Sequence, residues 1–212
     1  MRIGIIDYGV GNIGSVYNAV YKLNYDVKII KEPSDISRFD KIILPGVGNF
    51  SKSKNILDSH GWSERIIENV KYKGMPLLGI CLGMQLLADF GSEGSKNKNN
   101  LTKGLGLISG KVENLSIQGC KNRLPHMGWN SIKWEKDCYI NDKIPFETDF
   151  YFVHSYSFIP NNKEDIFAHT KYSIPIVAVI GKENIWGLQF HPEKSSKAGF
   201  LILKNFLENW NA

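Results

Sequence analysis

Apolar residues in the first ninety positions come in short runs, each ended by turn residues. Arg2-Ile3-Gly4-Ile5-Ile6 leads into Asp7-Tyr8-Gly9. Val27-Lys28-Ile29-Ile30 is a second run, Lys41-Ile42-Ile43-Leu44 stops at Pro45-Gly46, and Met75-Pro76-Leu77-Leu78-Gly79-Ile80 stops at Cys81. Apolar runs of this length bounded by Gly and Pro predict buried strands. The intervening segments have helical spacing. Ile13 to Leu23 is one, and Lys54 to Lys73 carries apolar residues at 56, 57, 62, 66, 67 and 70. Met84 to Ala88 contains good helix formers and no β-branched residue. Strands alternating with helices predict an α/β fold with a largely parallel sheet and flanking crossover helices. Sites in such sheets form at the C-terminal ends of the strands, and Cys81 stands at one of these ends.

The pattern changes near residue 105. Gly106 to Leu115, Asn130 to Trp134, Thr148 to Val153, Phe167 to Tyr172, Ile176 to Ile180 and Ile185 to Phe190 read as further strands separated by turn residues. They are expected to be antiparallel and packed on the first sheet. A helix from about Lys197 to Trp210 closes the chain, and the polar run GSEGSKNKNN, 91–100, reads as a surface loop. No internal repeat is visible. The length of 212 residues fits one domain spanning 1–212.

Composition narrows the function. Apolar residues make up 42% and charged residues 22%, as in a soluble globular protein with a sizeable core. No apolar stretch approaches the roughly 20 residues needed to span a bilayer. The start, MRIGIIDYG, lacks the apolar core and cleavage site of a secretory signal. Three widely spaced cysteines argue against a disulfide framework and for a reducing cytoplasm. The lysines behind the net charge of +5 are scattered, whereas nucleic-acid binding calls for a clustered stripe.

Four stretches carry candidate chemistry. In GICLG, Cys81 lies between Gly79 and Gly83, at the joint of a predicted strand and helix. This is the cysteine version of the G-x-S-x-G nucleophile elbow. Glycines relieve the tight turn, and the amide ends of a helix stabilise a thiolate. Cys120 and Cys138 lack such flanks and read as core cysteines. In WGLQFHPEKS, Pro192 biases His191 towards extended geometry, so Glu193 is expected to lie beside it as an orienting carboxylate. His154 also stands at a strand end but has no carboxylate two residues on. The glycine-rich turn LPGVGNF, 44–50, presents backbone N–H groups suited to a phosphate or an oxyanion. Finally, GVGNIG, 9–14, matches the dinucleotide pattern G-x-G-x-x-G, with Glu32 at the position of the ribose-binding acid. Taken alone it suggests an NAD-binding oxidoreductase. No cluster has metal-ligand spacing.

Cys81, His191 and Glu193 supply a thiol nucleophile, a base and an orienting acid. With GICLGMQLL, LPGVG and QFHPE in this order, the sequence resembles the class I (triad-type) glutamine amidotransferases. IDYGVGNIGSV, PHMGWN, YFVHSY and HPEKSS resemble, within that family, the glutaminase subunits of imidazole glycerol phosphate synthases of histidine biosynthesis. The resemblance covers almost the whole chain and implies a flavodoxin-like α/β fold. It also implies hydrolysis of glutamine to glutamate and ammonia by Cys81, His191 and Glu193, with no cofactor or metal. It assigns the oxyanion to the backbone of Leu82 and of Val47 or Gly48, and glutamine to Gln85, Glu93 and the backbone of His154, Ser155 and Tyr156. It implies a (βα)8-barrel cyclase as heterodimer partner, faced by Asn12, Pro125, Met127, Trp129 and Lys194. By the resemblance, Gly9 to Gly14 faces that partner and binds no nucleotide. Paralogues that feed ammonia to a sugar amidotransferase of surface polysaccharide synthesis share the same glutaminase pattern, so that reading stays open.

Overall fold

The structure is a computed structural model that describes residues 1–95 and 101–209. Its main sheet has nine strands. Five of them, β2 (Asp26–Ile30), β1 (Arg2–Ile6), β3 (Lys41–Gly46), β4 (Leu77–Cys81) and β13 (Ile185–Leu188), are parallel and adjacent in that order. Helices α1 (Ile13–Tyr21), α2 (Phe50–Ser59), α3 (Trp62–Ile67), α4 (Leu82–Leu86) and α5 (Ser196–Glu208) accompany the strands. Ile3, Ile5, Ile42, Ile43, Leu44, Leu77 and Leu78 are fully buried, as expected of strands covered on both faces. Each such side chain contributes roughly 1.5–3 kcal/mol of burial.

The expectation that the later strands pack on the first sheet is corrected. β12 (Ile174–Lys182) pairs antiparallel with β13, and β11 (Ile166–Tyr172), β8 (His126–Trp134) and β9 (Glu147–His154) follow edge to edge. These strands prolong the same sheet because β13 offers one edge to β4 and the other to β12. A separate four-stranded sheet consists of β10 (Tyr156–Pro160), β7 (Gly110–Asn114), β5 (Phe90–Gly91) and β6 (Thr102–Lys103). The run YFVHSY reads as one segment, but the chain changes sheets within it, at Ser155.

Other differences have local causes. The strand expected from Gly106 begins only at Gly110. The amides of Leu105, Leu107 and Ile108 instead bond to the carbonyls of Leu86 and Leu87, which the end of α4 leaves unpaired. The helix expected over 54–73 starts earlier, at Phe50, where Asn49 accepts a bond from the Lys52 amide. It breaks at Gly61, whose φ of 75° is left-handed. Gly91, expected in a loop, lies in β5, and residues 96–100 of that expected loop lie outside the described residues, as does Trp210. Among the described residues no helix is long and apolar enough to cross a membrane.

Candidate active site

Three neighbouring parallel strands end at one place. Gly46 of β3 is level with Cys81 of β4, and Ile80 with Leu188 of β13. The register therefore gathers Val47–Gly48, Cys81 and Gln189–His191, which are distant in sequence. Cys81 has φ 54° and ψ −107°, a strained conformation for a residue with a side chain, and α4 begins at the next residue. The flanking glycines answer to close backbone approach. A Cβ on Gly79 would lie 2.7 Å from the Gly83 carbonyl oxygen, and one on Gly83 would lie 1.8 Å from that of Leu44. Gly83→Ala is accordingly expected to destabilise the fold by about 3 kcal/mol or more, because two backbones would have to separate. Urea unfolding monitored by circular dichroism would measure this, and near-wild-type stability would contradict it.

A cleft of about 180 Å3 lies over the strand ends, lined by Val47, Gly48, Cys81, Leu82, Gln85, Glu93, Val153, His154, Ser155, Tyr156 and His191. All but Val153 are residues singled out in the sequence. His191 Nδ1 lies 2.9 Å from Glu193 Oε1, with both side chains almost wholly buried. An ionised carboxylate there accepts the Nδ1–H and leaves Nε2 as the working nitrogen; Nε2 has no other hydrogen-bond partner. The pair is not formed as expected, by alternation along an extended chain. His191 itself is extended, but Pro192–Lys194 is a 3₁₀ turn, and the turn swings Glu193 back onto the ring.

Burial alone would lower the pKa of His191, but the adjacent Cys81 and Glu193 outweigh it and raise the value to about 9. A folded value above the unfolded 6.5 stabilises the fold fully below pH 6.5, and that stabilisation is lost as pH climbs through about 9. Cys81→Ala removes the stronger of the two raising partners. Its melting temperature is therefore expected to fall less than the wild type's between pH 6.5 and 9, and parallel curves would refute this source of the shift.

Glu93 is one of the residues lining the cleft. Its carboxylate accepts the Phe50 amide at 2.8 Å, and burial raises its pKa against the lowering effect of that bond. Gln85 Nε2 donates to Tyr156 O at 2.9 Å and is 3.1 Å from Gln189 Oε1, while Gln189 Nε2 lies 3.8 Å from Cys81 Sγ. Cys81 Sγ is also 3.9 Å from Val153 O. Sequence reasoning missed Gln189 and Val153. Gln189 stands two residues before His191 on the same run, a period-2 signal that would have flagged it.

The residues expected to face a partner lie outside the cleft. Pro125, Met127, Trp129 and Lys194 are exposed, Met127 by 61% and Trp129 by 54%. Trp129 meets Tyr151 edge-on, and the Lys194 ammonium lies over the Tyr151 ring. Asn12 precedes α1 without capping it. Gly9–Asn12 lies in the loop between β1 and α1, and Ile13 and Gly14 open the helix, the placement of a dinucleotide loop. Among the described residues no group of three or more His, Cys, Asp or Glu side chains is arranged to hold a metal ion.

Comparison with known proteins identifies the family. Residues 4–210 match the family described as glutamine amidotransferase class-I, and the chain belongs to that family. Solved structures agree on the fold: one described as a glutamine amidotransferase aligns with TM-score 0.75 at 15% identity over 97% of both chains. PurLQS from Thermotoga maritima aligns with TM-score 0.74 at 16% identity, also over 97% of both. Curated relatives are more specific. The chain is 44% identical to the imidazole glycerol phosphate synthase subunit HisH of Pelagibacter ubique, covering 98% of this chain and 99% of that one. It is 46% identical to the HisH subunit of Caldanaerobacter subterraneus subsp. tengcongensis, over 97% of each. For the HisH subunit of Desulfitobacterium hafniense strain Y51 the identity is 44%, over 96% of this chain and 92% of the relative.

Proposed function

We propose that this chain is the glutaminase subunit of an imidazole glycerol phosphate synthase, acting in the cytoplasm. The observation that carries the chemistry is the convergence of Cys81 and the buried His191–Glu193 pair in one cleft. The Cys81 thiol gives its proton to His191 Nε2, and the sulfur attacks the side-chain amide carbon of glutamine. The oxyanion is held by the N–H of Leu82 and that of Val47 or Gly48, all at the strand ends. His191 passes its proton to the departing nitrogen, the C–N bond breaks, and ammonia leaves a glutamyl thioester. His191 then draws a proton from water, whose oxygen displaces the Cys81 sulfur, releasing glutamate. Glu193 holds the imidazole in its working tautomer. Gln85, Glu93 and the backbone of His154, Ser155 and Tyr156 hold glutamine. The steps call for no cofactor.

Ammonia freed into water at neutral pH becomes mostly ammonium, which is no nucleophile. Delivery to a docked acceptor enzyme avoids that loss. The acceptor in this reading is a (βα)8-barrel cyclase, which uses the ammonia to make imidazole glycerol phosphate and an aminoimidazole carboxamide nucleotide. Asn12, Pro125, Met127, Trp129 and Lys194 form the docking face. Exposed Met and Trp side chains of this kind are enriched at interfaces. Family membership removes the reason to read Gly9–Gly14 as an NAD site. The decisive experiment is growth without histidine of a bacterial strain whose own glutaminase subunit is deleted, supplied with this chain and its cognate cyclase. Growth is expected. Failure to grow with both proteins soluble, together with glutamine-dependent amidation of a sugar nucleotide, would move the chain to the polysaccharide pathway.

A further inference from the structure

Behind the edge assigned to glutamine lies a buried polar chain that the reaction steps do not use. Tyr156 O accepts two hydrogen bonds, from Gln85 Nε2 and from His154 Nδ1, each at 2.9 Å. A carbonyl only accepts, so His154 carries its proton on Nδ1 and presents a lone pair at Nε2. His126 Nδ1 lies 3.0 Å from that Nε2 and must be the donor. His126 Nε2 is then an acceptor, and Asn130 Nδ2, 3.2 Å away, is the group that donates to it. Asn130 Nδ2 is itself held by Lys171 O at 3.0 Å. Every direction in this chain follows from one carbonyl at one end and one amide at the other. Both imidazoles must be neutral Nδ1–H tautomers, whereas free neutral imidazole side chains favour Nε2–H. Burial agrees with neutrality, lowering His126 to about 4 and His154 to about 3.

We propose that Asn130, His126 and His154 form a positioning relay that fixes the Ser155–Tyr156 backbone against which glutamine binds. The inference rests on the functional reading above. Ser155 is where the chain leaves the main sheet for the second one, and its carbonyl accepts the Leu115 amide at 2.9 Å, next to the pairing of Tyr156 with Asn114 of β7. The relay adds a hold from the side of the main sheet, on the carbonyl of Tyr156. It begins on β8, between the flanking strands β11 and β9, and ends on the carbonyl that also anchors Gln85. His126 is additionally stacked on Phe152 and Tyr172, with ring centroids 4.8 and 4.2 Å away, so a packing role is the competing account.

Two variants separate the accounts. His126→Asn places an amide N–H near the position of Nδ1 but loses the stacked ring; His126→Phe keeps the ring and loses the donor. Glutaminase kinetics in the assembled complex, with the cyclase and its nucleotide present, are expected to show KM for glutamine raised about tenfold by His126→Phe, the size of one lost buried hydrogen bond. kcat should change much less. His126→Asn is expected to stay closer to wild type in KM. A packing role gives the reverse order and overturns the relay. Should His126→Phe fail to fold, nitrogen-15 spectra of histidine-labelled wild-type chain decide instead. Nδ1–H tautomers at both His126 and His154 near neutral pH support the relay, and Nε2–H at either overturns it. A wild-type complex without glutaminase activity would instead refute the functional reading beneath it.

Discussion

Replacing Cys81 with alanine is expected to abolish glutamine-dependent synthesis by the complex, with a loss of about ten-thousand-fold or more, the scale seen when a nucleophile is removed from a catalytic triad. Ammonia-dependent synthesis should be largely intact. The thiol is assigned to releasing ammonia and to nothing that happens on the partner. Alanine keeps the Cβ and removes a single sulfur atom, whose hydrogen bonds to Val153 O and from Gln189 Nε2 are long. Parallel assays with glutamine and with ammonium salt at alkaline pH measure both activities. Equal loss of the two would show that Cys81 supports the assembly and not the hydrolysis.

The second large effect concerns the chain alone. A glutaminase that worked without its acceptor would waste glutamine, and an oxyanion hole left incomplete until docking would prevent this. Val47 stands between Gly46 and Gly48; Gly48 has φ 97°, and a Cβ built on it would meet no atom within 4 Å beyond its chain neighbours. Rotation of the Val47–Gly48 peptide therefore meets little steric resistance. The isolated chain is expected to bind glutamine and turn it over slowly. Docking of the liganded partner should raise kcat by about a hundred- to a thousand-fold, the value of one oxyanion donor, with a smaller change in KM. Steady-state kinetics with and without the partner and its nucleotide provide the measurement. Full turnover by the lone chain would reject the gate and leave the roles of Cys81, His191 and Glu193 untouched.

Much of this architecture was legible in the sequence because parallel strands buried on both faces write themselves as unbroken apolar runs. Arg2–Ile6 is the clearest case, with identical expected and observed bounds. Cys81, His191 and the Val47–Gly48 turn were legible because strand ends, glycines and the order of the motifs pointed to one edge, whereas Leu82, Gln85, Glu93 and residues 154–156 came only with the family resemblance. The features that escaped depend on neighbours. Nothing in Ile174–Lys182 states that its partner is β13 and not a strand stacked above it. Nothing in YFVHSY marks the change of sheet at Ser155. His126 gave no signal of its own, since its place in the chain of bonds comes from the antiparallel register that sets it opposite His154. Gln189 did carry a signal, its period-2 spacing from His191, but its partners Gln85 and Cys81 lie on another helix and strand and are visible only in the fold.

The parallel pairing of β4 with β13 joins Leu77 to Ile185. A chain emerging from the ribosome therefore completes the Cys81 elbow well before it makes the segment that carries His191 and Glu193. Closing that long loop is entropically slow, and non-local parallel pairings of this kind tend to limit folding rates. During synthesis the thiol has no base beside it. A chain interrupted anywhere before β13 lacks both His191 and Glu193, so truncated products cannot consume glutamine.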